Sequence, residues 1–364
     1  MTKKLLVHIL PALIVLISIT SINQWSNFPI GNTFIIWGID FIVLGLIFWY
    51  KKLFFKPKNQ KDYLIVAIYF VWLLICVVRG SFVAENYWEW KQLVSGALIL
   101  SIPVFVYLFE SPFWVKRILN TWLFYALPLF FVFIFFISTG AYHFYLGPVL
   151  LLSCFLLVIP INWRYLFVGL LILMISVNLG ARSQVIKAVF VLLIGISFVF
   201  SRYFQEKVFK FIHLLFCVIP IILLMLGITS RFNPFERFAP TNGKYIEHKA
   251  VDGQVITENL AADTRTFVYT EVIRSAINHG YVIWGRTPAR GNDSVAFGAF
   301  SAEELKTGKY ERFSNEVVFP NVFTWLGLIG VILYILIYIK SSYLAIYKSR
   351  NIFIKLIGIF IAFR

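Results

Sequence analysis

The chain is a series of long apolar runs separated by short polar connections. Runs long enough to cross a bilayer core of about 30 Å fall near 5–22, 31–50, 63–79, 93–109, 118–138, 144–160, 164–180, 183–200, 209–228 and 318–339. Each is predicted to be a helix, because a backbone in lipid has to satisfy its own hydrogen bonds. An eleventh run starts near Ile352 and stops at Arg364, too short to span, so the chain is expected to continue beyond it. The first run follows Lys3 and Lys4 and ends without a good cleavage signal, so it is expected to remain as the first span. The pattern predicts an all-α, polytopic integral membrane bundle of about 11 or more transmembrane helices. Residues 1–229 would hold helices one to nine, and 317–364 helices ten and eleven.

One long segment, Ser230–Glu316, is compatible with water. Within it, Asp263 is a plausible N-cap and Gly280 a plausible stop for a short helix near 264–279. Phe267, Val268, Val272, Ile273, Ala276 and Ile277 make one apolar stripe at helical spacing, so this helix should lie against something. Residues 231–262 read as irregular, and the Gly-rich stretch Gly285–Asp293 as turns.

Composition agrees with membrane residence: 60% hydrophobic residues, 19% aromatics and a mean hydropathy of +0.82. The net charge of +16 would suit a nucleic-acid binder until it is mapped. The segment 230–316 holds eleven of the 33 Lys and Arg and eleven of the 17 Asp and Glu, so the excess lies elsewhere. It sits in short connections: Lys51, Lys52, Lys56, Lys58 and Lys61; Lys116 and Arg117; Arg164; Arg202, Lys207 and Lys210; Lys340, Lys348 and Arg350. A cytoplasmic N-terminus puts all of these inside, as the positive-inside rule requires, and puts 230–316 outside. No nucleic-acid partner is expected. Cys76, Cys154 and Cys217 lie in apolar runs and suggest neither a disulfide framework nor a zinc site.

Several polar groups are candidates for chemistry. Arg182, in the tight turn between two runs, either anchors a helix end at the headgroups or offers a fork of donors to phosphate. Arg265, at the start of the short helix, is either a solvated charge or part of an anion cradle. Arg286 and Arg290 flank the Gly-rich turn and are weaker candidates. Glu316 stands where the chain re-enters the membrane, either as a carboxylate favoured by a helix start or as a general base raised by desolvation. Asn315 and Asn321 suit sugar hydroxyls or capping, while His248 and His279 are outer-face bases or incidental loop residues. Trp88, with Glu85, Glu89 and Lys91, would stack carbohydrate or belong to an interfacial aromatic belt. Asp40 lies in the middle of a run, where a carboxylate either functions or pairs with another helix. Neither a metal-ligand spacing nor a P-loop is present, so neither metal nor ATP chemistry is expected.

Three stretches together resemble the bacterial O-antigen polymerase and ligase family. Gly180-Ala181-Arg182-Ser183 is similar to its turn-Arg motif, and Asp263-Thr264-Arg265, followed by Trp284-Gly285, to its loop stretch. From Glu316 to Gly330 the chain has the spacing of the family's re-entry motif, with Gly327 and Gly330 in register. Glu316 stands where the ligases carry His, Val317 where they carry Asn and Asn321 where they carry Gln; these departures favour a polymerase. The resemblance implies a GT-C-like glycosyltransferase in a bacterial inner membrane, joining undecaprenyl-diphosphate-linked oligosaccharides as donor and acceptor on the outer face. No cofactor and no metal are expected, since the motifs for them are missing. Glu316, Arg182 and Arg265 would be catalytic; Arg286, Asn315, Asn321, His279 and Trp88 would bind substrate. Membrane lipid and a chain-length regulator protein are the other expected partners. Transfer to lipid A core or protein by a ligase, or carriage by a flippase, are the alternatives.

Overall fold

The structure is a computed structural model that describes residues 3–26, 31–57, 59–177, 182–197, 206–228, 246–251, 254–259, 266–295, 297–304, 308–315 and 317–363. It is built almost wholly of helices: α1 Lys3–Thr20, α2 Thr33–Trp49, α3 Leu64–Val83, α4 Tyr87–Leu100, α5 Pro112–Thr121, α6 Leu127–Phe133 and α7 Gly147–Ser153. These are followed by α8 Ile161–Val177, α9 Arg182–Ser197, α10 Glu206–Ile228, α11 Thr266–Asn278, α12 Gly298–Glu304, α13 Val318–Tyr343 and α14 Ile352–Phe363. The short strands β1 Ile246–Val251 and β2 Gln254–Asn259 form one antiparallel hairpin; β3 Asn292–Asp293 and β4 Glu311–Arg312 form a second, two-residue ladder.

Among the described residues four helical stretches are long and apolar enough to cross a membrane: 60–83, 87–109, 112–133 and 318–348. Prolines and irregular turns fall both within these stretches and in the rest of the pattern. Pro103 falls in a 3-10 turn between α4 and the helical turn 105–109, and a π-turn at 122–126 joins α5 to α6. The apolar run 144–160 is not one helix: Tyr142–Tyr145 and α7 are followed by turns ahead of Pro160. Pro148 starts α7, where its missing N–H costs nothing.

The chain divides into two compact units. The first comprises 1–63, 101–214 and 338–364. Here α1 packs on α2 and α5, and α7 on α8 and α9, around fully buried Trp122, Phe130 and Tyr145. Hydrogen bonds between helices matter in such a setting, because lipid is as apolar as the side chains it would replace. Tyr145 donates to the carbonyl of Ala126 at 2.7 Å, His213 pairs with Ser342 at 2.9 Å, and Lys340 meets Asp62 at 2.8 Å.

The second unit comprises 64–100 and 215–337. Helices α3 and α4 pack together across a connection closed by its own polar groups. The Asn86 side chain accepts from the N–H groups of Trp88 and Glu89, both at 3.0 Å, and caps α4. Glu89 reaches back to accept from the N–H of Glu85, the residue before the cap, at 2.8 Å and so ties down the turn. Helix α11 presents Val268, Val272 and Ala276 inward, each at most 4% exposed, and packs on β3.

Candidate functional site

The site of the second unit is organised by a break in α13. Gly327 has φ 69° and ψ −170°, which ends one helical limb and starts another. The freed backbone groups would be unsatisfied in an apolar surrounding. The segment 282–287 supplies the partners. Arg286 N–H donates to Thr324 O at 2.6 Å and Thr287 N–H to Trp325 O at 3.2 Å; Leu328 N–H donates to Val282 O at 2.9 Å. Trp72 of α3 completes the set by donating its indole N–H to Leu326 O at 3.0 Å.

Only glycine fits where the strands of this crossing touch. Gly285 also has φ 69°, and a Cβ on it would stand 2.5 Å from the Gly327 nitrogen. A Cβ on Gly327 would stand 2.2 Å from the Ile283 oxygen. Beside them Thr287, a β-branched residue, is held at φ 85° with its buried hydroxyl unpartnered among the described residues. Backbone strain of this kind persists only where its surroundings over-determine it.

Next to the crossing lies a chain of paired charges. The Glu311 carboxylate, 4% exposed, accepts from Nε and Nη2 along one edge of the Arg290 guanidinium and also from Arg286 at 3.0 Å. Arg290 is thereby held more firmly in its charged form, the bond to Glu311 outweighing burial. Arg286 continues to Asp293 at 3.0 Å and to Gly291 O at 2.9 Å. Asp293 in turn meets His279 Nε2 at 2.5 Å, and its N–H is fixed by Ser275 at 2.9 Å. The Tyr281 hydroxyl donates to Ser275 at 2.7 Å, and burial pushes its pKa up to about 12. At the other end Lys309 bridges Glu85 at 2.8 Å and the fully buried Glu89 at 2.6 Å.

Arg79 stands apart from this pairing. It projects from the last turn of α3 and donates to two adjacent carbonyls, Trp284 O at 2.8 Å and Gly285 O at 3.2 Å. Among the described residues no carboxylate meets it. Trp284, 53% exposed, rests against Trp72 with ring centroids 5.3 Å apart.

The candidates named from sequence are distributed unevenly. Arg286 and His279 enter the charge chain, while Asn315 and Asn321 clasp each other: Asn315 N–H donates to the Asn321 side chain at 2.6 Å, and Asn321 returns a bond to Asn315 O at 2.8 Å. Asn315 also donates to Asn292 at 2.9 Å. Trp88 lies on α4 with Lys91 over its ring at 4.9 Å. Arg182 is the first residue of α9, in the other unit, and its side chain lies outside the described part; Asp40 is half-buried on α2. Arg265 and Glu316 lie outside the described residues. Arg79, Glu311 and Lys309 were not singled out from sequence. An Arg at the outer end of a run, against the usual charge bias, was the available signal for the first; the pairings of the other two span more than 200 residues or join elements that are not periodic.

Comparison with known protein families, characterised proteins and solved structures finds no match.

Proposed function

We propose that the chain is an integral-membrane glycosyltransferase of GT-C-like, many-spanning architecture that polymerises undecaprenyl-diphosphate-linked oligosaccharide repeat units on the outer face of a bacterial inner membrane. The supporting observation is the docking of the segment 282–287, with its charged neighbours, into the break of α13 at Gly327. Such a junction fixes polar groups at the end of apolar helices, where a lipid-borne anion meets water-compatible sugar. The order of motifs that resembles the polymerases, from Arg182 through Gly285 to Gly327, supports the same reading.

In this mechanism a hydroxyl of the acceptor glycan attacks the anomeric carbon of the donor's first sugar. The bond from that carbon to the diphosphate oxygen breaks, and undecaprenyl diphosphate leaves with the electron pair. Arg182 and Arg265 neutralise the departing charge. Glu316 takes the hydroxyl proton, a contribution of about 10²–10⁴-fold.

The test is polymer length on a gel from a deletion strain carrying each variant, with protein levels checked by blot. Arg182→Lys should fail nearly as badly as Arg182→Ala, because lysine keeps the charge and loses the bidentate fork. Glu316→Gln should abolish polymer and Glu316→Asp should retain a trace. Full-length polymer from both Arg182→Lys and Glu316→Gln would sink these assignments.

A further inference from the structure

We infer that Arg79 and Trp284 form a subsite for a sugar-bearing diphosphate ester, the guanidinium taking the diphosphate and the indole the first sugar. The ligand class rests on the polymerase reading; the subsite rests on geometry. Arg286, Arg290 and Lys309 each meet a carboxylate in the same unit, whereas Arg79 meets the carbonyls of Trp284 and Gly285 and the Cys76 thiol, and no carboxylate among the described residues. A guanidinium has five N–H donors in a fixed fork. Two are spent on those carbonyls, which aim the group, the Cys76 thiol lies beside it, and the remaining donors are open to an anion. A half-buried cation at the end of an apolar helix is costly without a counter-charge. A phosphate oxygen supplies that charge and matches the fork.

Trp284 provides the second half. Its ring lies on Trp72 and is 53% exposed, so one side is supported and the rest is open. The C–H face of a pyranose stacks on such a surface. The same residue's carbonyl oxygen accepts from Arg79, so the two groups are held in register. The crossing at Gly285 and Gly327 holds the backbone on either side of Trp284.

The experiment titrates the full chain in neutral detergent with three probes: inorganic pyrophosphate, farnesyl diphosphate and farnesyl-diphosphate-linked hexosamine. Phosphatidylglycerol vesicles are the competitor that represents bulk lipid headgroup. Arg79→Ala and Arg79→Gln should weaken all three probes by about tenfold or more, as expected for loss of a charged, bidentate anion contact. Arg79→Lys should also weaken them, since an ammonium has three donors and two are needed for the carbonyls. Trp284→Ala should weaken the hexosamine-bearing probe while leaving pyrophosphate unchanged. If Arg79→Ala fails to fold, the Lys and Trp284 variants carry the test. Wild-type affinity in Arg79→Gln and Arg79→Lys would overturn the subsite, as would displacement of every probe by phosphatidylglycerol. Binding needs no turnover, so the two readings fail separately. Polymer that persists in the deletion strain removes the polymerase and leaves the binding result standing. Normal binding by the Arg79 variants removes the subsite and leaves the polymerase standing.

Discussion

Gly285 and Gly327 meet back to back, and what each would lose on gaining a methyl group differs in kind from an ordinary loop glycine. Both have φ 69°, and the atoms that a Cβ would strike belong to the other strand's backbone, at 2.5 Å and 2.2 Å. Backbone cannot swing aside as a side chain does. Left-handed conformation alone costs a non-glycine residue about 1–3 kcal/mol, and the collision adds to it. Gly308, at φ +65°, has no atom of the described residues within 4 Å of its would-be Cβ. Gly285→Ala and Gly327→Ala should therefore sharply lower the yield and melting temperature of detergent-solubilised protein, while Gly308→Ala costs only about 1–2 kcal/mol for its conformation. Equal melting temperatures for Gly308→Ala and Gly327→Ala would show that the crossing is looser than described.

At the scale of elements, the strand pair β3–β4 and the α3–α4 connection are held by one lysine. Lys309 binds Glu85 and Glu89, and Glu89 meanwhile accepts from Glu85 N–H. Hydrogen bonding to Lys309 holds Glu85 below its ordinary value of 4.5. Burial works to lower the Lys309 pKa, but the bonds to the two carboxylates outweigh it and the net displacement is upward from 10.5. The signs define a window. The Glu85 contribution is present above its unfolded value and is lost as pH falls through its depressed folded value. The Lys309 contribution is complete below its unfolded value and is lost as pH rises through its raised folded value. Lys309→Ala removes the ion-pair partner of the buried Glu89 carboxylate, at a cost of about 3–5 kcal/mol. The melting-temperature gap between wild type and Lys309→Ala should stay level from about pH 5.5 to 9 and shrink in stronger acid. A gap that widens on acidification would contradict the pairing.

For the whole molecule, the charge map makes a prediction independent of any catalytic residue. The excess of basic residues lies outside 230–316, in the short connections, and Lys56 belongs to the densest of them. Topology reporters fused at Lys56 and at Asn259 should report opposite compartments, with Lys56 cytoplasmic. Two cytoplasmic signals would invert the assignment and remove the extracytoplasmic chemistry with it.

The sequence by itself determined that this is a helical protein rich in apolar helices, because a hydropathic run of span length has no other way to satisfy its backbone in lipid. It also determined local features that depend only on neighbours. The apolar stripe that ends at Gly280 corresponds to α11, Thr266–Asn278, and Gly280 adopts φ +67° two residues beyond it. Gly285 and Gly327 stood out in sequence only as motif positions; that each exists to let the other's backbone pass is a property of the fold. The run 144–160 was apolar enough for a span, yet Pro148 and the turns after Ser153 divide it. Tertiary structure alone decided the partners: Arg79 with carbonyls 205 and 206 residues away, and Lys309 with Glu85 and Glu89, 224 and 220 residues away. Hydropathy records whether a residue prefers lipid or water. It carries no term for which charge another charge will meet, because that depends on where the chain returns.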